Sequence, residues 1–99
     1  MQMDIEVMRS RAGQASKLLG AMANDKRLMI LCQLVNGERT VGELAESLET
    51  RQSTISQHLA LLKKDGFVES RRDGQSQFYS LAGEEAKTIL GALYELYCV

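Results

Sequence analysis

The chain has 99 residues, 44% of them apolar, with 12 Lys and Arg against 13 Asp and Glu, a net charge of −1, no proline, no tryptophan and two cysteines. One domain takes on the order of 100–200 residues, which excludes a multidomain enzyme, and a chain this size buries only roughly 60–65% of its unfolded surface, so self-association is a reasonable supplement to a thin core. The composition is too apolar for a disordered tail; the longest apolar run, Leu28 to Cys32, is far below the ~20 residues of a spanning helix, no signal-peptide stretch follows the N-terminus, and two distant cysteines make no disulfide framework, so a cytoplasmic location and no membrane partner are expected.

Residues 4–22 place Met8, Ala12, Ala15, Leu18, Leu19 and Met22 at spacings of three and four, one face of a first helix. Asn24 can cap a second helix in which Leu28, Leu31, Cys32 and Val35 keep the period until Asn36-Gly37 ends it. Thr40-Val41-Gly42-Glu43 reads as a capping box, with the Thr40 hydroxyl and the Glu43 carboxylate each satisfying a backbone N–H, so a short helix runs to about Leu48. Glu49-Thr50-Arg51 separates it from a fourth helix over roughly 52–65, stopped by Gly66, and two short helices joined by a tight turn outline a helix-turn-helix. Two extended runs, Phe67 to Arg72 and Gln75 to Leu81, then flank Asp73-Gly74, a strong hairpin signal. Ala86, Ile89, Leu90, Leu93, Leu96 and Tyr97 return to helical period. No linker, repeat or low-complexity segment interrupts residues 1–99, so the expectation is one mainly α domain in the order α-α-α-α-β-β-α.

The near-zero charge conceals a distribution. Residues 51–80 carry 5 basic and 3 acidic side chains, whereas 81–99 carry 1 and 3, so positive charge gathers as Arg51, Lys63, Lys64, Arg71 and Arg72; a solvated mixed surface has the same signature. On a helical wheel the fourth helix sets Ile55, Leu59 and Leu62 on one side and Ser53, Ser56, Gln57 and Ala60 on the other. Small residues let a helix settle into the major groove of double-stranded DNA, Gln57 can reach a base edge, and Gln52 and Ser53 near the helix start can bond phosphates or bases. Arg71 and Arg72 before the hairpin tip and Gln75 after it suit contact with phosphates or the minor groove. His58, the one histidine, reads equally as a packing or capping residue and as a DNA contact.

Thr40-Val41-Gly42-Glu43-Leu44-Ala45, Ser53-Thr54-Ile55-Ser56-Gln57-His58-Leu59, Asp65-Gly66-Phe67-Val68 and Arg71-Arg72-Asp73-Gly74 through Tyr79-Ser80-Leu81 resemble the ArsR/SmtB family of winged-helix repressors. The resemblance runs from about Ala21 to Leu81 and in outline covers nearly the whole chain. It implies a winged helix-turn-helix, a homodimer held by the first and last helices, an imperfect palindromic operator released when an effector is sensed, and a DNA-facing role for the whole recognition motif, Thr54 included. Gln75 stands where the family often has a basic residue.

Many relatives sense metals through a Cys-x-Cys pair in the first helix of the helix-turn-helix or a His/Asp/Glu set on the last helix. Here the first reads Val41-Gly42-Glu43-Leu44-Ala45-Glu46-Ser47-Leu48 and the last has no histidine, so no metal and no cofactor is expected. Cys32 and Cys98 remain. Cys32 fits a small buried hydrophobe, and Cys98 stands at the negative end of its helix, which does not activate a lone thiol. Cysteines in the second helix and in the ending Leu96-Tyr97-Cys98 resemble the sulfide- and persulfide-responsive branch of the family. That resemblance implies a dithiol switch in which reactive sulfur or another thiol oxidant joins Cys32 to Cys98 by a disulfide or polysulfide bridge. The rivals are a family repressor with a metal or other effector, a thiol-disulfide protein, and a helical interaction module; against an enzyme stand the lack of Cys-x-x-Cys and of a histidine beside either cysteine in sequence.

Overall fold

The computed structural model describes residues 1–99 in the order α1 (Ile5–Met22), α2 (Asp25–Val35), α3 (Val41–Ser47), α4 (Gln52–Lys64), β1 (Val68–Asp73), β2 (Ser76–Leu81) and α5 (Glu85–Tyr97), a winged helix-turn-helix. The helices begin where the sequence supplies an oxygen. Asp4 Oδ1 accepts hydrogen bonds from the Glu6 and Val7 amides at 3.1 and 3.3 Å. Asn24 Oδ1 accepts from Arg27 N at 3.1 Å. Ahead of α3 the capping box is complete: Thr40 Oγ1 accepts from Glu43 N at 3.1 Å and Glu43 Oε1 from Thr40 N at 2.8 Å. Only α4, after Arg51, and α5, after Glu84, start without a side-chain cap.

α2 lies at the centre. Its Ile30, Leu31 and Leu34 meet Leu44 and Ala45 of α3, Ile55, Leu59 and Leu62 of α4, Val68 of β1, and Ala86 and Leu90 of α5 in one buried cluster. In the turn between α3 and α4, Glu49 is the one non-glycine residue with positive φ, +50°. Thr50 fixes this turn by donating to Leu48 O and accepting from Lys26 Nζ of α2, each at 2.9 Å.

The hairpin differs from the sequence expectation by one residue. Asp73 pairs with Ser76, so it belongs to β1 and the two-residue loop is Gly74-Gln75. Gly74 has φ +64° and Gln75 is not in the left-handed region, the pattern of a type II′ turn, which demands glycine at the first central position. β2 also has a second neighbour: Arg39 N donates to Tyr79 O at 3.0 Å and Tyr79 N to Arg39 O at 2.8 Å, joining the α2–α3 loop to the wing.

Two helices leave apolar surface uncovered. α1 buries only Met22 and exposes Ile5, Val7, Met8 and Leu19. The last turns of α5 expose Tyr94, Leu96 and Tyr97. No helix is long and apolar enough to cross a membrane.

Candidate DNA-reading surface and dithiol groove

The buried side of α4 is Ile55, Leu59 and Leu62, and this anchoring turns Gln52, Ser53, Ser56, Gln57 and Ala60 outward, with Thr54 half-covered. His58 sits apart from that exposed set. It is half-buried, its Nδ1 is enclosed without a hydrogen-bond partner, and burial followed by the Arg27 and Lys26 charges of α2 pushes its pKa below the ordinary imidazole value. That nitrogen faces protein, which fits the packing reading of His58.

Strand alternation sends the wing arginines to opposite faces of the hairpin. Arg71 is engaged within the protein. Its Nε donates to Glu38 Oε2 at 2.9 Å, a second nitrogen bonds Glu38 Oε1, Asp73 lies 3.8 Å away, and the guanidinium stands 4.9 Å from the centroid of Phe78. The hydrogen bond from Arg71, more than burial opposes it, holds the Glu38 carboxyl below the usual carboxylate range. Arg72 and Gln75 are exposed, and Arg72 makes no ion pair. On the face shared by Arg72, Ser70 Oγ accepts from Lys63 Nζ at 2.8 Å and from Gln77 Nε2 at 2.9 Å, clasping the wing to the end of α4. Glu38 and Ser70 carry no local motif, so pattern reading of the chain missed both.

The two cysteines, 66 positions apart in sequence, line one groove of about 770 Å³ between α2 and α5. Leu28, Met29, Leu90, Leu93, Tyr94 and Tyr97 supply most of its wall, and Glu95 is the one charged residue among the lining. Both thiols are free; Cys32 is partly covered and Cys98, the C-cap of α5, is exposed. Burial, and then the proximity of Cys98, pushes the Cys32 thiol up. A raised thiol is mostly protonated at neutral pH and is a slow nucleophile alone. Nowhere do three or more His, Cys, Asp or Glu side chains come together as metal ligands.

Residues 24–70 match the family described as bacterial regulatory protein, arsR family. The transcriptional activator HlyU of Vibrio cholerae is 46% identical over 96 residues, 97% of this chain and 89% of that protein; the structure of its reduced form has a TM-score of 0.88 and covers 95% of this chain and 99% of that one. The transcriptional repressor BigR from Xylella fastidiosa is 39% identical with a TM-score of 0.92, covering 98% of this chain and 99% of that one. The homodimeric winged helix-turn-helix DNA-binding domain of Mb0332 from Mycobacterium bovis is 34% identical with a TM-score of 0.78, over 96% of this chain and 86% of that one.

Proposed function

This chain belongs to the ArsR family of transcriptional regulators, and on that premise we propose that it is a homodimeric, sequence-specific DNA-binding repressor whose operator affinity is set by reactive sulfur bridging Cys32 and Cys98. The observation that carries the thiol part is the shared groove: two free cysteines 66 positions apart in sequence line one cavity between α2 and α5. Cys32, its thiol raised by burial, is a slow nucleophile alone, and as a pair the two can close a disulfide or a longer sulfur bridge. HlyU offers a parallel in that it has been solved in a reduced form. The repressor sense follows BigR, while HlyU is named an activator; a promoter reporter with and without the protein decides between them.

Reading of DNA falls to Gln52, Ser53, Thr54, Ser56 and Gln57 on α4, with Arg72 and Gln75 on the wing; Arg71 and His58, each turned to protein, support that surface. The uncovered apolar residues of α1 and α5 suit pairing of two copies, as in homodimeric Mb0332. A two-fold dimer presents two recognition helices, which reach successive major grooves when about 34 Å apart. The relatives' names make an enzyme the weaker reading.

The test treats the reduced protein separately with a persulfide and with peroxide, weighs the intact product, and measures promoter-DNA affinity at one fixed salt concentration, because phosphate contacts make affinity salt-dependent. Persulfide is expected to leave Cys32 and Cys98 joined through one or more inserted sulfur atoms and to weaken binding. Bridging that leaves affinity unchanged sinks the switch, and peroxide alone producing bridge and release overturns the sulfur assignment.

A further inference from the structure

The groove that holds the thiols has a pronounced electrostatic character. Its walls are mainly apolar, Glu95 is its only charged residue, and no lysine or arginine lines it. It also lies where two helices end: Asn36, the C-cap of α2, and Cys98, the C-cap of α5, are both in the lining. A helix C-terminus carries roughly half a negative charge. One carboxylate and the C-termini of two helices therefore lie along the lining of the groove. Lys87, the one cation of α5, lies outside the lining, and exposed Arg72 is on the wing.

An anionic sulfur carrier of the peptide-thiol kind presents carboxylates, which are held by arginine, lysine or helix N-termini. This groove offers none of these. A neutral carrier loses nothing on entry and gains contact with Leu28, Leu90, Leu93 and the tyrosine rings. Resting on the dithiol reading above, we infer that the α2–α5 groove selects its sulfur donor by charge, admitting neutral or cationic carriers of sulfane sulfur and turning away carboxylate-bearing ones.

The step balances with an organic trisulfide, R–S–S–S–R, as donor. One cysteine thiolate attacks the central sulfur and expels RS⁻, leaving Cys–S–S–S–R. The second thiolate attacks that same sulfur and expels the other RS⁻, giving Cys32–S–S–S–Cys98. Each thiol loses its proton to solvent and each RS⁻ takes one up, so two cysteine thiols and one trisulfide become one bridged trisulfide and two RSH. The cysteines are oxidised and the two carrier sulfurs reduced, with no further oxidant.

The experiment compares dimethyl trisulfide, glutathione trisulfide and the ethyl-esterified glutathione trisulfide on the reduced protein. Bridge formation is followed by intact mass, and each rate is divided by the rate of the same reagent with the urea-unfolded chain, which removes intrinsic reactivity. The normalised rate with glutathione trisulfide is expected to be on the order of tenfold below that of its ester, because charge rather than bulk separates them. Glu95→Lys should raise the normalised rate of glutathione trisulfide by a larger factor than it raises that of dimethyl trisulfide, since a cation beside the thiols favours both thiolates but attracts only the anionic carrier. Equal normalised rates for glutathione trisulfide and its ester, or an ester as slow as the acid beside a fast dimethyl trisulfide, overturn selection by charge while leaving the dithiol switch standing. Failure of all three to bridge the folded protein overturns both.

Discussion

Arg71 and Arg72 are neighbours in sequence, yet the structure gives them different surroundings, and the salt dependence of operator binding tests whether their proposed roles differ accordingly. Each phosphate neutralised by a side chain contributes about 0.9 to the slope of log affinity against log salt. Arg72 is exposed with no ionic partner, and a dimer has two wings, so Arg72→Gln should make the slope shallower by about 1.8. Between about 50 and 200 mM salt, a fourfold rise, that means roughly a 12-fold smaller loss of affinity than the wild type suffers. Arg71 instead gives two hydrogen bonds to Glu38 and covers Phe78. Arg71→Gln should weaken binding at every salt concentration by loosening the wing and leave the slope as it was, and Glu38→Gln should do the same. Fluorescence anisotropy with a labelled promoter fragment across a salt series provides the readout. A slope that flattens as much for Arg71→Gln as for Arg72→Gln, or steepens for Glu38→Gln, shows that Arg71 leaves Glu38 for a phosphate, and the assignment of Arg71 as a wing brace fails.

Three other measurements bear on the remaining surfaces. Leu96 is 72% exposed, so Leu96→Glu should leave the protomer folded by circular dichroism and weaken self-association about a hundredfold or more, since burial of a leucine contributes ~1.5–3 kcal/mol and occurs twice across a two-fold interface; sedimentation that still shows a dimer refutes the proposed interface. His58 has a pKa below its ordinary 6.5 through burial and the charges of Arg27 and Lys26, so the unfolded chain binds the proton more readily than the folded one; the contribution is complete above about pH 6.5 and is lost as pH falls through the lowered value. The melting temperature of the wild type should therefore drop more between about pH 7 and 5 than that of His58→Gln, and parallel curves contradict the burial argument. For Cys32, whose thiol is raised first by burial and then by Cys98, the pH profile of alkylation should lie above that of a free cysteine and shift only part of the way back in Cys98→Ser; a full return assigns the effect to Cys98 rather than to burial.

What could be read from the chain alone was what depends on neighbours in sequence. Asn24, Thr40 and Glu43 act on amides three positions away, so their signals are local and the starts of α2 and α3 were legible. The packing face of α4 followed from its period. The hairpin tip was misplaced by one residue because Asp-Gly is compatible with two turn registers, and the pairing of Asp73 with Ser76 decides between them. The brace on the wing was not legible, since Glu38 and Arg71 are 33 positions apart and nothing local marks Glu38 as the partner of Arg71. The bridge between Arg39 and Tyr79 rests on backbone groups, which any residue supplies. His58 reads equally as a packing residue and as a DNA contact from sequence, and only the tertiary structure, which encloses its Nδ1 without a partner, separates the two.

The last two turns of α5 tie the proposed chemistry to the proposed assembly. Tyr94, Tyr97 and Cys98 line the groove toward α2, whereas Leu96 lies outside the groove lining and is exposed. A bridge from Cys98 to Cys32 therefore pulls on the C-cap of the same turn whose other side carries Leu96. α2 is a stiff recipient of that pull, because Ile30, Leu31 and Leu34 are buried on either side of Cys32 in the sequence. The yielding part is the end of α5, where the Cys98 amide keeps one hydrogen bond, to Tyr94 O at 2.8 Å. Moving that end moves Leu96 relative to a second copy, and a dimer is sensitive to such a shift because its two recognition helices must stay about 34 Å apart. A longer sulfur chain reaches further and holds the end of α5 less tightly than a direct disulfide, so inserted sulfur atoms should weaken operator binding less than a disulfide does. Affinities of the disulfide and trisulfide forms, prepared from the same protein and measured at one salt concentration, test this order; equal affinities place the coupling somewhere other than the displacement of α5.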